Sequence, residues 1–214
     1  MIDAAHCLVV VATDREAAPF RDVGLRTVIS GVGRVNAAVA TTLAIQGLEA
    51  PPLVIASGIA GSLPRDDGMS IGDIVIGDRA VAADEGILTP EGFQSIAAMG
   101  FPLAKFMTDD AVTADVGLVE GLASRLPDAI IGPIATVGTC SGTDGLAAEI
   151  AARTGAVAEA MEGAAVLQAA RLLGARAVEV RAISNGTGDR SRQVWDLERA
   201  FAGLRTVARA IASG

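Results

Sequence analysis

The sequence has little of what disulfide frameworks and most metal centres need. Its 214 residues include two cysteines and one histidine. Two cysteines are too few for a disulfide framework, and they point to a reducing compartment. His6 alone cannot form a histidine metal cluster, and a Ser-His-Asp triad would have to use that one residue. The composition therefore favours carboxylates and amides for any catalysis.

Basic charge and long apolar runs are also missing. The formal net charge is −8 and the pI is about 4.6. Binding to a nucleic-acid backbone depends on lysine and arginine, so we expect no nucleic-acid partner. The first six residues lack a basic segment, and no uninterrupted apolar run reaches the roughly 18 residues of a membrane span. We expect a cytoplasmic protein without a membrane partner.

The chain is rich in apolar residues, and its strand-like segments alternate with helix-like ones. It is 51% hydrophobic, with a mean hydropathy of +0.47, which is ample for one domain over residues 1–214. The patterns predict strands at 7–13, 25–30, 53–56, 72–81, 130–137 and 178–183, and helices at 34–46, 143–153, 161–173 and 196–211. This alternation predicts an α/β fold, a three-layer α/β/α sandwich with a mixed central sheet. Residues 89–110 are predicted as loop with a short helix, a candidate lid.

Two polar residues near the C-terminus interrupt apolar segments. Glu162 opens a run too apolar for a surface helix, which predicts a carboxylate at the start of a buried helix. Asn185 follows the strand at 178–183, and open α/β sheets bind ligands at the carboxyl ends of their strands. We expect the two groups to converge. The simpler alternatives are a carboxylate interacting with a helix N-terminus and an ordinary Asn-Gly turn.

Separated motifs cover nearly the whole chain in a recognisable order. They lie at 30–38 (SGVGRVNAA), 57–63 (SGIAGSL), 72–75 (GDIV), 141–142 (SG), 161–162 (ME) and 181–185 (RAISN). Together they resemble the nucleoside phosphorylase and nucleosidase superfamily. Segments at 84–86, 89–93, 160–165 and 183–190, with Trp195, are most similar to the futalosine hydrolases of menaquinone biosynthesis.

This resemblance implies hydrolysis of the N-glycosidic bond of futalosine, giving hypoxanthine and dehypoxanthine futalosine. It assigns Glu162 to the ribose hydroxyls, Met161 to the ribose face and Glu16 to the general base that activates water. From local sequence alone, Glu16 would be a solvated charge in the first turn of a helix. Asn185 would meet the base, because an amide donor and acceptor suit a 6-oxopurine, whereas adenine-directed members usually carry aspartate there.

Further substrate contacts follow from the same resemblance. Ile59, Ala60 and Gly61 would form a loop under the ribose and base, and Ser141 would lie beside them. Futalosine carries a carboxyphenyl ketone extension at its ribose 5′ end, which needs apolar surface and a cation. The predicted contacts are Phe93 and Arg190, with Phe106, Trp195, Arg192 and an arginine of a partner subunit as alternatives. Surface charge is the ordinary role of such arginines.

Other activities stay open at this point. Phosphorylases of the superfamily often hold phosphate with a Gly-Asp-Pro segment and arginine, and residues 13–16 read TDRE instead, which favours water as the nucleophile. The alternatives are a methylthioadenosine nucleosidase, a purine nucleoside phosphorylase and a non-catalytic nucleoside-binding module. The glycines at 31 and 33 only half match a dinucleotide fingerprint. No metal or organic cofactor is implied, and a homo-oligomer is expected from the resemblance.

Overall fold

The computed structural model describes residues 2–66, 68–107 and 109–213. The strands are β1 Cys7–Val11, β2 Arg26–Ile29, β3 Leu53–Ser62, β4 Ile74–Ala82, β5 Gly86–Thr89, β6 Gly92–Ser95, β7 Ala111–Thr113, β8 Ile130–Thr136, β9 Ala158–Ala160 and β10 Arg176–Gly186. The helices are α1 Asp14–Asp22, α2 Arg34–Gln46, α3 Val116–Arg125, α4 Asp144–Thr154, α5 Gly163–Leu172 and α6 Leu197–Ala212, and a short 3-10 helix at Ala4–His6 precedes β1.

Eight of the strands form one mixed sheet. Strand β1 pairs in parallel with β2 and β3, and β3 pairs in parallel with β10. Strand β4 pairs antiparallel with β10 and in parallel with β8, and β9 joins β8 to β3. The pairings of β3, β10, β4, β8 and β9 therefore close into a ring, from which β1 and β2 extend. The two remaining strands, β5 and β6, form a separate hairpin.

The helices pack against the sheet in two groups. Helix α5 contacts β3, β10 and α2, whereas α6 contacts β10, α1 and α3. Covered strands need apolar residues on both faces, and all five residues of β1 are buried. On α6, one stripe that includes Leu204, Val207 and Ile211 is fully buried, as an amphipathic helix requires. The sheet and its helices match the predicted fold.

Two sequence predictions about local structure are wrong. The described part of 89–110 contains no helix, since the chain there forms β6 of the hairpin and then turns; Thr108 lies outside the described residues. The segment at 58–61, which the family resemblance implied to be a loop, is not one, because β3 continues through its glycines to Ser62. Helix α3 and strands β5, β6, β7 and β9 were not predicted as elements, and α1 was implied only by the local interpretation of Glu16.

Local signals place the ends of elements near the site. Thr13 follows β1 and forms a capping box with Glu16 at the start of α1. Glu162 occupies the N-cap position of α5, so the predicted helix start is confirmed. No helix in the described ranges combines the length and apolar character needed to span a bilayer.

Candidate active site

A pocket of about 430 Å³ opens where β3, β9 and β10 end. It brings together nine of the ten residues predicted from the sequence to contact substrate: Glu16, Ile59, Ala60, Gly61, Ser141, Met161, Glu162, Asn185 and Arg190. Pockets of this size bury small organic ligands, and a few convergent polar groups fix their orientation. The structure therefore gathers most of the residues that the motifs indicated around one pocket.

Glu16 is held rigidly at one side of the pocket. Its side chain is buried, and its Oε2 accepts hydrogen bonds from the Thr13 backbone N–H and hydroxyl, both at 2.9 Å. Its Oε1 accepts from the backbone N–H of Ile59 at 3.0 Å. Glu16 is thus fixed between the end of β1 and the middle of β3, and it is not the solvated helix charge that local sequence alone suggested.

Glu162 is also buried and reaches away from its own helix. Its Oε1 accepts from the backbone N–H of Gly33 at 2.9 Å, and Gly33 is the N-cap residue of α2. Its Oε2 accepts from Arg181 Nη2 at 3.3 Å. The carboxylate therefore does meet a helix N-terminus, that of α2, while still lining the pocket.

Arg181 is the centre of a buried charged cluster that sequence reasoning missed. Its side chain is 1% exposed, and its Nε donates to Glu179 Oε1 at 2.9 Å. Burial acts to lower the pKa of the guanidinium, but Glu179, Glu162 and Glu16 together outweigh burial and raise it. Burial raises the pKa of Glu179, whose Oε2 has no hydrogen-bond partner among the described residues. In the sequence, Arg181 begins the motif at 181–185 and forms with Glu179 a pair of charges within the apolar run of β10, but no role was assigned to either residue.

Two glycines make room for this cluster. A Cβ at Gly58 would lie 2.5 Å from Glu16 Oε1 and 2.7 Å from Arg181 Nη1. A Cβ at Gly163 would overlap the carboxylate of Glu179. The charged groups thus fill space that a side chain would otherwise take, and the cluster brings three carboxylates to one guanidinium.

Asn185 lies in β10, not in a turn. It is 3% exposed, its Oδ1 accepts from the Ser184 hydroxyl at 2.8 Å, and its Nδ2 donates to the Gly186 carbonyl at 3.0 Å. The register of β10 against β3 shifts between Ile183 and Asn185. Such a bulge re-aims side chains at a strand end. The Asn-Gly turn alternative is therefore wrong, and one amide N–H and part of the oxygen remain for a ligand.

A third buried carboxylate lines the pocket, and it was not predicted from the sequence. Glu159 in β9 is 4% exposed, and its two oxygens accept from the backbone N–H and the hydroxyl of Ser141, at 2.7 Å and 2.6 Å. Burial raises the pKa of Glu159, against the opposing effect of the Ser141 hydrogen bonds. Ser141 itself is also buried, so Glu159 and Ser141 form a hydrogen-bonded pair in the pocket wall.

The side chains predicted to contact the 5′ extension lie in different parts of the structure. Arg190 lines the pocket, with its guanidinium carbon 5.1 Å from the centre of the Trp195 ring, which also lines it. Phe93 does not line this pocket; it lies in the β5–β6 hairpin, with its ring 4.0 Å from the Arg153 guanidinium carbon. Phe106 packs against Arg171, and Arg192 forms surface ion pairs with Asp144 and Asp189.

No group of three or more His, Cys, Asp or Glu side chains with metal-binding geometry occurs in the described part of the chain. Cys140 lines the pocket, and burial raises the pKa of its thiol, with Glu159 adding to the effect. A raised pKa disfavours the nucleophilic thiolate. The other polar side chains that line the pocket include the carboxylates of Glu16, Glu159 and Glu162, the amide of Asn185 and the guanidinium of Arg190.

Fold and pocket together define an α/β protein with a pocket lined by three buried carboxylates and an amide. The chain belongs to the phosphorylase superfamily, whose family model matches residues 24–213. This match confirms the superfamily that the sequence motifs indicated.

Curated relatives refine the family assignment. The chain is 40% identical over 160 residues to futalosine hydrolase of Acidothermus cellulolyticus, covering 71% of this chain and 64% of that protein, which is less than two thirds of its length. It is 34% identical over 200 residues to futalosine hydrolase of Thermus thermophilus, covering 86% of this chain and 79% of that protein.

A solved structure confirms the predicted fold. The 5′-methylthioadenosine/S-adenosylhomocysteine nucleosidase of Neisseria meningitidis, in complex with methylthio-immucillin-A, superposes with a TM-score of 0.79 at 24% identity. The match covers 97% of this chain and 99% of that one.

Proposed function

We propose that this chain is a futalosine hydrolase, an N-glycosidase that uses water to release hypoxanthine from futalosine. The observation that carries the proposal is the convergence of Glu16, Glu162 and Asn185 in one pocket of nucleoside size. The identity to futalosine hydrolases of Acidothermus and Thermus supports the choice of substrate. The amide at position 185 supports a 6-oxopurine leaving group over adenine.

Glu162 binds the sugar in this mechanism. Its oxygens are oriented by Gly33 N–H and Arg181, and each keeps a lone pair for the ribose 2′ and 3′ hydroxyls. As the bond between C1′ and N9 lengthens, the sugar gains positive charge, which the nearby carboxylate stabilises. Met161 lines the same pocket and packs against the ribose face with its flexible thioether.

Glu16 activates the water. Its carboxylate is preorganised by hydrogen bonds from Thr13 and Ile59, which hold it without neutralising it. The water oxygen bonds to C1′ while one water proton passes to Glu16. The electrons of the broken C1′–N9 bond stay with the base, and the remaining amide N–H of Asn185 stabilises that charge by donating to O6 or N7. The base takes up one proton from solvent and leaves as hypoxanthine. Ile59, Ala60 and Gly61 of β3 line the pocket beneath the nucleoside, and Ser141 lines its wall.

Arg190 is the proposed partner for the carboxylate of the 5′ extension. It lines the pocket, whereas Arg192 is engaged in surface ion pairs, so the structure favours Arg190 of the two. Phe93 lies outside this pocket in the described chain, and Trp195 offers the apolar surface instead. The proposed substrate belongs to menaquinone biosynthesis, and we place the reaction in the cytoplasm, where the free thiols of Cys7 and Cys140 persist.

We also propose that the chain works as a homo-oligomer. Helix α2 exposes an apolar stripe at intervals of four residues, Val35, Val39 and Leu43, with side chains more than half exposed. Such a stripe marks an interaction surface. Val32 precedes it and also lines the pocket, so a second copy on this face would lie beside the site. Sedimentation of the purified protein measures the oligomeric state, and a monomer at micromolar concentration would contradict the proposal.

One assay tests the activity. Purified protein is incubated with futalosine, inosine and methylthioadenosine, each with and without phosphate, and the free base is followed by chromatography. We expect hypoxanthine from futalosine at a rate that phosphate does not change. Strict phosphate dependence would indicate a phosphorylase, and a preference for methylthioadenosine would indicate a methylthioadenosine nucleosidase. Release of base from none of the substrates would show that the chain is not an enzyme of this class.

A further inference from the structure

Glu159 is a buried carboxylate in the pocket wall for which the mechanism above has no use. Its oxygens accept from Ser141 N and Ser141 Oγ, and each oxygen keeps a second lone pair. A buried carboxylate is costly unless its interactions compensate, and burial already raises the pKa of this one. Placing it against the ligand therefore calls for a role there.

The sheet register locates Glu159 at the base end of the pocket. Gly61 of β3 pairs with Glu159 of β9 on one side and with Asn185 of β10 on the other. Adjacent strands lie about 4.8 Å apart, so the two Cα atoms are separated by roughly 10 Å, with a residue lacking a side chain between them. Glu159 and Asn185 thus flank the same level of the pocket.

The end of the pocket at which Glu162 would bind the ribose lies closer to the N-terminal ends of β3 and β10. Arg181, which contacts Glu162, pairs with Gly58, three residues before Gly61. Three residues of strand span about 10 Å, so the level of Arg181 is well separated from that of Glu159. The carboxylate is therefore placed to meet the base.

We propose that Glu159, together with Ser141, accepts a hydrogen bond from N1–H of a 6-oxopurine and so selects against 6-aminopurines. A 6-oxopurine carries a hydrogen on N1, whereas N1 of a 6-aminopurine is a bare acceptor that a carboxylate repels. Asn185, across Gly61, serves the O6 and N7 edge of the same ring. This inference rests on the proposed nucleosidase function and names the groups that distinguish its base.

The test compares two substrates that differ only at position 6: futalosine and its 6-amino counterpart. The wild-type protein should prefer futalosine in kcat/KM. In Glu159→Gln, the amide oxygen takes the Ser141 N–H and the NH₂ group turns toward N1. We expect kcat/KM for futalosine to fall about 10- to 100-fold, while the value for the 6-amino substrate stays level or rises. The ratio of the two values does not depend on the folded fraction, so partial misfolding cannot imitate this result.

A binding measurement makes the test independent of catalysis. Calorimetry with hypoxanthine, 1-methylhypoxanthine and adenine should give tightest binding of hypoxanthine to the wild type. The N1-methyl base lacks the hydrogen and should bind more weakly, and Glu159→Gln should remove most of that difference. If Glu159→Gln fails to fold, Ser141→Ala provides the second variant, with a smaller change of the same sign.

The inference would be overturned if Glu159→Gln lost kcat/KM equally on both substrates and kept the wild-type preference among the three bases. Glu159 would then only hold Ser141 in place. If the wild type releases no base but binds hypoxanthine more tightly than 1-methylhypoxanthine and adenine, the proposed activity is wrong. The role of Glu159 in recognising the base is then still supported. Equal binding of hypoxanthine and 1-methylhypoxanthine by the wild type would refute the role whatever the activity.

Discussion

Replacing Glu16 by glutamine separates its two functions, holding the start of α1 and accepting a proton. The carboxylate accepts from Thr13 through Oε2 and from Ile59 through Oε1. Glutamine has one oxygen, so one of these two backbone N–H groups must face the amide NH₂. An unsatisfied buried donor costs about 1–3 kcal/mol, and we expect the free energy of unfolding to fall by about that amount.

The catalytic loss should be larger than the loss of stability. Removing a general base lowers rates by about 10²- to 10⁴-fold, so kcat for futalosine should fall by that factor. KM should change little, because Glu162 and Asn185 remain in place. Initial rates of hypoxanthine release give kcat, and urea unfolding gives the stability at the assay temperature.

Glu198→Gln makes the same chemical change at an exposed position, where the side chain only pairs with Arg15 on the surface. We expect wild-type rates and stability from it. If folded Glu16→Gln keeps more than a tenth of the wild-type kcat, Glu16 is not the general base. A loss of rate that equals the loss of folded protein would leave Glu16 with its structural function alone.

Three further outcomes are expected. Asn185→Ala should lower kcat on futalosine at least 10-fold, and unchanged kinetics would contradict its contact with the base. Arg190→Ala should raise KM for futalosine about 10-fold but not for inosine, which lacks the carboxylate; an equal change on both would exclude a contact with the 5′ extension. Burial raises the pKa of Glu179 above 4.5, so its stabilising contribution is complete below pH 4.5 and declines as pH rises through the raised pKa. Glu179→Gln should remove this part of the pH dependence in urea unfolding; identical profiles would refute it.

Much of the fold followed from periodicity. The predicted helix at 34–46 matches α2 at both ends, and the strand predicted at 130–137 ends one residue beyond β8. Failures occurred where glycine and proline dominate. At 58–61 the family resemblance implied a loop, but the segment continues β3, and Gly58 brings its backbone close to charged side chains. At 89–110 they accompany a hairpin, which a search for helical periodicity cannot detect.

The candidate site was predicted in part for a similar reason. Motifs indicated Glu16, Glu162 and Asn185, and the structure brings them together. Glu159 and Arg181 were missed because their importance depends on burial and on neighbours distant in sequence. Ser141 is 18 residues from Glu159, and Glu162 is 19 residues from Arg181. No periodicity reveals such partners.

The two glycines beside the charged cluster limit how this protein can be engineered. Exchanging glycine for alanine is a common route to higher thermal stability, because it restricts the unfolded chain. That route is closed at Gly58 and Gly163, where a methyl group would displace Glu16, Arg181 or Glu179. Gly145 in α4 has open space around its missing Cβ and a negative φ. Thermostabilisation can therefore begin in the first turn of α4, away from the buried charges, with a gain of about 0.4–1 kcal/mol from the restricted unfolded chain.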